Sequence, residues 1–190
     1  MSAPLSRAQL QRLSNGTLAA VQRRWGALNK PQARWLTRQG VSASAILEPT
    51  PIGATRVNFL DGGTFTVSGT DGTGALTFRV QNVDGDDFDL VAWSPGAAQI
   101  GSWYGRAFAL GQDWIDNPAT YFAGHALRVH ASPLEWLKAN RDGICIIKPE
   151  LTYAMLRSVP RVSFADLDIA KQFETWIKPP APRVAMYVED

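Results

Sequence analysis

Two aspartates, Asp166 and Asp168, leave the apolar run Arg161–Ala165 with one residue between them. Oxygen ligands on a tight turn suit a hard cation such as Mg²⁺. At the carboxyl end of a strand in an α/β sheet they would stand where ligands bind. The chemistry needs a third acidic ligand, and none lies nearby. His130, at the end of the apolar run Ala126–Ala131, is the polar group that can replace it. The candidate catalytic residues are therefore Asp166, Asp168 and His130, and the candidate metal ligands are Asp166 and Asp168. A plainer role competes, because aspartate ahead of Ile169-Ala170-Lys171 is also a favoured helix cap. His125 and His130 are five apart on an expected strand, so they face opposite ways and form no joint metal site.

A second kind of chemistry is electrostatic. Residues 1–47 hold seven basic side chains and no acid, while residues 48–95 hold seven acids against only Arg56 and Arg79. The remaining residues balance, ten against ten, so the net charge of +2 hides a polarised chain. The candidate nucleic-acid contacts are Arg23, Arg24, Lys30, Arg34 and Arg38, since basic side chains without acidic neighbours can neutralise phosphates. Trp25 and Trp35 can stack on bases, although their helical spacing favours core packing. The competing account is intramolecular or a protein partner: the basic helices dock on the acidic stretch from Asp84 to Asp89. Asp84 and Asp86 mimic part of a calcium loop, but lack its length and its terminal glutamate.

The elements that must position these residues fall into three segments. Residues 1–48 read as helices: Leu5–Leu13, then Thr17–Leu28 with Leu18, Val21, Trp25 and Leu28 on one stripe and Gln22, Arg23 and Arg24 on the other. Pro31 opens a third helix over Gln32–Gln39, Gly40 ends it, and Ser42 caps a short turn reaching Leu47. Residues 49–124 change to period two. Arg56–Leu60, Thr64–Val67, Leu76–Val80 and Phe88–Trp93, broken by Asp61-Gly62-Gly63 and Asp84-Gly85, predict an antiparallel meander. Residues 95–124 have no clear period and are expected to cover that sheet. Residues 125–190 alternate strands (Ala126–Ala131, Ile144–Ile147, Arg161–Ala165, Val184–Val188) with helices (Pro133–Asn140, Leu151–Arg157, Ile169–Ile177), the pattern of a mainly parallel sheet.

Composition narrows the classes. A hydrophobic fraction of 45% with seven tryptophans supplies a real core, which excludes wholesale disorder. The single cysteine, Cys145, excludes a disulfide framework and a cysteine zinc cluster, and its apolar setting predicts a buried thiol. No leader pattern opens the chain and no apolar stretch approaches roughly 18 residues, so the expectation is a cytoplasmic protein without a membrane partner.

Residues 125–190 resemble a Toprim domain, the metal-binding α/β module of primases and topoisomerases. Val162-Ser163-Phe164-Ala165-Asp166-Leu167-Asp168-Ile169-Ala170 is similar to its strand ending in Asp-x-Asp before a helix of small residues. Trp35-Leu36-Thr37-Arg38-Gln39-Gly40-Val41-Ser42 is similar to the segment upstream of Toprim in phage-type primases. The resemblance implies Mg²⁺ and phosphodiester chemistry. The first Toprim motif, a glutamate after the first strand, would fall in Arg128–Pro133, which contains no acid; Glu135 comes later. The expected fold is α+β: a basic helical segment, an antiparallel meander and a small Toprim-like unit. The expected function is a non-catalytic accessory protein of a phage or mobile element. It binds nucleic acid or a replication or defence protein and needs no cofactor. The alternatives are a Mg²⁺-dependent phosphodiester enzyme and a protein-binding inhibitor that uses the acidic turn.

Overall fold

A computed structural model describes residues 17–179. The expected helix over Leu5–Leu13 and the expected strand over Val184–Val188 lie outside these residues. Helix α1 spans Thr17–Trp25, α2 Lys30–Arg38 and α3 Ala43–Leu47. Local chemistry sets their ends. The Asn29 side chain accepts from the Gln32 amide while the Gln32 side chain accepts from the Asn29 amide, and Pro31 occupies the first turn of α2. Ser42 caps α3 through the Ala45 amide. On α1, Leu18 and Gln22 are both buried. The expectation that Gln22 lies on the polar face is corrected: its side-chain amide donates 2.9 Å to the Thr77 carbonyl, which makes its burial tolerable.

Five strands follow: β1 Gly53–Leu60, β2 Thr64–Val67, β3 Thr73–Gln81, β4 Asp87–Ser94 and β5 Gln99–Ser102. The expected open meander is corrected to a closed barrel in the order β1-β2-β5-β4-β3. Neighbours are antiparallel except at the closure, where Thr64 of β2 pairs in parallel with Ser102 of β5. Gly101 suits that close approach, because a Cβ there would lie 3.0 Å from the Thr64 carbonyl oxygen. Side chains alternate across β3 and β4. Ala75 and Ala92 pack with Val57 and Phe65, while Leu76, Phe78, Val80, Val91 and Trp93 face α2, α3 and the elements beyond the barrel.

The loop after β5 is anchored by Asp89, a fully buried residue of β4. One carboxylate oxygen accepts from the Leu90 and Tyr104 amides at 2.8 and 2.9 Å, the other from the Arg106 and Ala107 amides at 2.8 and 2.9 Å. Its charge is thus solvated by four backbone dipoles instead of water.

Beyond the barrel lie β6 Ala109–Leu110, α4 Asp113–Asp116, β7 Leu127–Val129, α5 Pro133–Lys138, β8 Cys145–Ile146, α6 Thr152–Leu156, β9 Val162–Phe164 and α7 Leu167–Trp176. β7 and β9 run parallel, with Val129 opposite Phe164, and Val129 also bridges Ile144 in parallel. The expected mainly parallel sheet is present only in part: these pairings are parallel, whereas β8 pairs antiparallel with β6. Residues 95–124 cover the barrel only in part: β5 joins it, and Ala107 and Leu110 pack with Leu76, Phe78, Val91 and Trp93. Phe108, Ala109 and Ile115 instead join Leu127, Val129, Ile144, Leu156, Ile169 and Phe173 in a core of their own. Cys145 is buried, and desolvation pushes its thiol up to about 12, so it packs as a small apolar group. Among the described residues no helix is long and apolar enough to cross a membrane.

Candidate functional site

The five basic candidates all lie on α1 and α2, which a four-residue link over 26–29 joins. Arg23, Arg24, Lys30, Arg34 and Arg38 are all exposed, and among the described residues none pairs with a carboxylate. Lys30, Arg34 and Arg38 recur every four residues and so form one row along α2, with about 6 Å of helix rise between successive members. Like charges at this spacing destabilise a helix by about 0.2–0.5 kcal/mol per pair. Lys30 also sits at the first helical position, where a cation opposes the helix dipole. Arg38, in the last turn, is favoured by the same dipole, so what an anionic partner would relieve is the repulsion along the row.

The acidic stretch does not take up these charges. Asp87 is buried and pairs with Arg79 at 3.2 Å, and Asp89 is spent on backbone amides. Asp84 is exposed and Asp86 half-buried on the β3–β4 turn, where the Asn82 side chain accepts from both their amides. No ion pair joins the basic helices to residues 84–89 among the described residues, and the acidic side chains left on that turn are Asp84 and Asp86. The tryptophans follow the core expectation. Trp25 packs edge-on to Phe65 at 5.7 Å and against Trp103 at 5.0 Å; Trp35 lies 6.3 Å from Trp93.

The strand-end candidates come near one another in the fold without forming a ligand set. The β7–β9 register places His130 one residue past Val129 and Ala165 one past Phe164, so His130 and Asp166 end neighbouring parallel strands. The His130 ring is turned elsewhere: Nε2 lies 2.7 Å from the Asp142 carbonyl. Asp166 is the N-cap of α7, accepting from the Ile169 amide at 2.9 Å, and Asp168 is exposed in the first turn. Glu135 is exposed and bonded to Lys138. Among the described residues no three His, Cys, Asp or Glu side chains gather as a metal site. Asp166→Ala is expected to remove a cap worth about 1 kcal/mol, seen as a lower urea midpoint with nucleic-acid affinity unchanged.

Sequence reasoning missed the roles of Asp89 and of Arg141, a buried arginine behind α5. Neither has a local signal, because each acts on residues distant along the chain. The chain matches no protein-family model, no curated protein and no solved structure.

Proposed function

We propose that the protein is a non-catalytic accessory factor that binds nucleic acid through the basic α1–α2 segment. The observation that carries this reading is the set of five exposed cations that have no carboxylate partner among the described residues. Asp87 and Asp89 are engaged within the protein, and the exposed Glu48, Asp61, Asp71 and Asp84 form no ion pair with α1 or α2 among the described residues, so the five cations stay open to phosphates. Descent from a primase-like protein of a phage or mobile element is part of the proposal. Its support is the Asp166-Leu167-Asp168 motif after a strand parallel to β7; the lack of an acid in Arg128–Pro133 departs from that family's pattern and is the reason the factor is read as non-catalytic. A cytoplasmic setting accords with that origin.

The test is a titration of the full chain against labelled single- and double-stranded DNA, with and without Mg²⁺, at low and moderate salt. Salt-sensitive binding that ignores Mg²⁺ and leaves the DNA intact is the expected result. Mg²⁺-dependent cleavage or extension, abolished by Asp168→Ala, would establish the enzyme reading instead. Indifference to both DNAs would move the basic segment to a protein partner.

A further inference from the structure

Arg141 is 5% exposed, and every partner it has is neutral. Its Nε donates 2.7 Å to the Ala45 carbonyl and Nη1 2.9 Å to the Thr50 carbonyl, while the guanidinium lies 5.5 Å from the centre of the Trp136 ring. Nη2 has no acceptor. Buried charges are ordinarily paired, and an unpaired one is costly. Desolvation pushes this guanidinium down to about 10, which still leaves it a cation at neutral pH. Its backbone is costly too. Asn140 and Arg141 have φ of 55° and 62° in succession, a region where a non-glycine residue pays about 1–2 kcal/mol.

This side chain lines the floor of a cleft. The outer part, about 570 Å³, is bounded by Ser44, Glu48, Pro49, Asp113, Trp114 and Arg141. Pro49, Asp113, Trp114 and Arg141 also line an inner cavity of about 30 Å³, which Arg79, Gln81 and Trp136 complete. That inner space admits about one water-sized atom. Arg79 brings a second orphan donor, its buried Nε, while its own charge is met by Asp87.

We propose that this cleft binds a small organic monocarboxylate, with one carboxylate oxygen in the inner cavity accepting from Arg141 and Arg79 and the apolar body against Trp114. The charge balance selects that class. One guanidinium is uncompensated, and there is space for one oxygen. A phosphate dianion would bring twice the charge against Asp113 and Glu48. Asp113 is half-buried, with its carboxyl raised by desolvation, and is the charge that most opposes the ligand. Glu48 is exposed at the rim, where water screens it.

The experiment follows the arginine Nε–Hε and tryptophan indole resonances of the full chain by NMR. Sodium benzoate, sodium phosphate and sodium chloride are titrated at constant ionic strength. Benzoate is expected to give saturable shifts at Arg79, Arg141 and Trp114, and chloride none. Phosphate should bind at least tenfold more weakly. Arg141→Lys forfeits a charge-assisted hydrogen bond and should weaken benzoate by about tenfold or more. Because that variant also loses two structural bonds, Asp113→Asn provides a second arm: it removes the opposing charge and should tighten benzoate several-fold. The proposal is overturned if benzoate gives no saturable shift, which means that water alone occupies the cavity. Equal affinity for phosphate, or benzoate affinity unmoved by Asp113→Asn, overturns it as well.

Discussion

Replacing Arg23 and Arg24 together with alanine weakens DNA binding and flattens its salt dependence, with the fold intact. If all five basic side chains neutralise duplex phosphates, affinity falls about 500-fold between about 50 and 200 mM salt. With three remaining, the same interval costs about 40-fold. Both arginines are exposed in the last turn of α1, where a cation favours the helix dipole; alanine's higher helix propensity offsets part of that loss, so the denaturation midpoint holds or falls slightly. Fluorescence anisotropy across a salt series reads both quantities. A double variant with the wild-type slope would mean that α1 does not touch phosphate.

Asp89→Asn has the largest expected effect on stability. The carboxylate accepts four backbone amides that hold residues 104–107 and Leu90 to the barrel. Asparagine keeps the shape but offers one oxygen, and its amide group confronts two of those N–H donors. Two lost hydrogen bonds to a charged acceptor amount to about 4 kcal/mol, a large share of the roughly 5–15 kcal/mol that holds a domain folded. Urea denaturation should show the loss, and limited proteolysis should cut first between Trp103 and Ala107. Asp84→Asn, on the exposed turn, is the control and should stay within about 0.5 kcal/mol.

Much of the local structure was legible because it rests on local rules. Asn29, Pro31 and Ser42 mark helix starts through hydrogen bonds and backbone angles confined to one turn. The alternating runs around Asp61-Gly62-Gly63 and Asp84-Gly85 became paired strands. The parallel pairing of β7 with β9 followed from helices separating apolar runs. What was hidden is non-local. Barrel closure depends on one parallel contact, Thr64 with Ser102, which no period announces. Asp89 stands in an acid-rich stretch and reads as surface charge, yet its partners lie 15 to 18 residues away. Arg141 reaches carbonyls 91 and 96 residues away. Gln22 reads as polar helix surface because its partner, the Thr77 carbonyl, is 55 residues distant.

Of the candidate sites, the exposure of the basic row was readable, since the acid-free segment offers its cations no local carboxylate and is visible in the chain itself. The Asp166 and Asp168 pair illustrates the opposite case. A cap and a metal ligand share one sequence signature, and only the hydrogen bond from the Ile169 amide to Asp166 separates them.

The measurement that bears most directly on the account is a map of backbone amide shifts on adding a short DNA duplex. The account predicts perturbations centred on Arg23, Arg24, Lys30, Arg34 and Arg38, with none at Asp166–Ala170. Shifts centred instead on His130 and Asp166–Ala170 at the ends of β7 and β9 would contradict it and return the strand ends to the functional site.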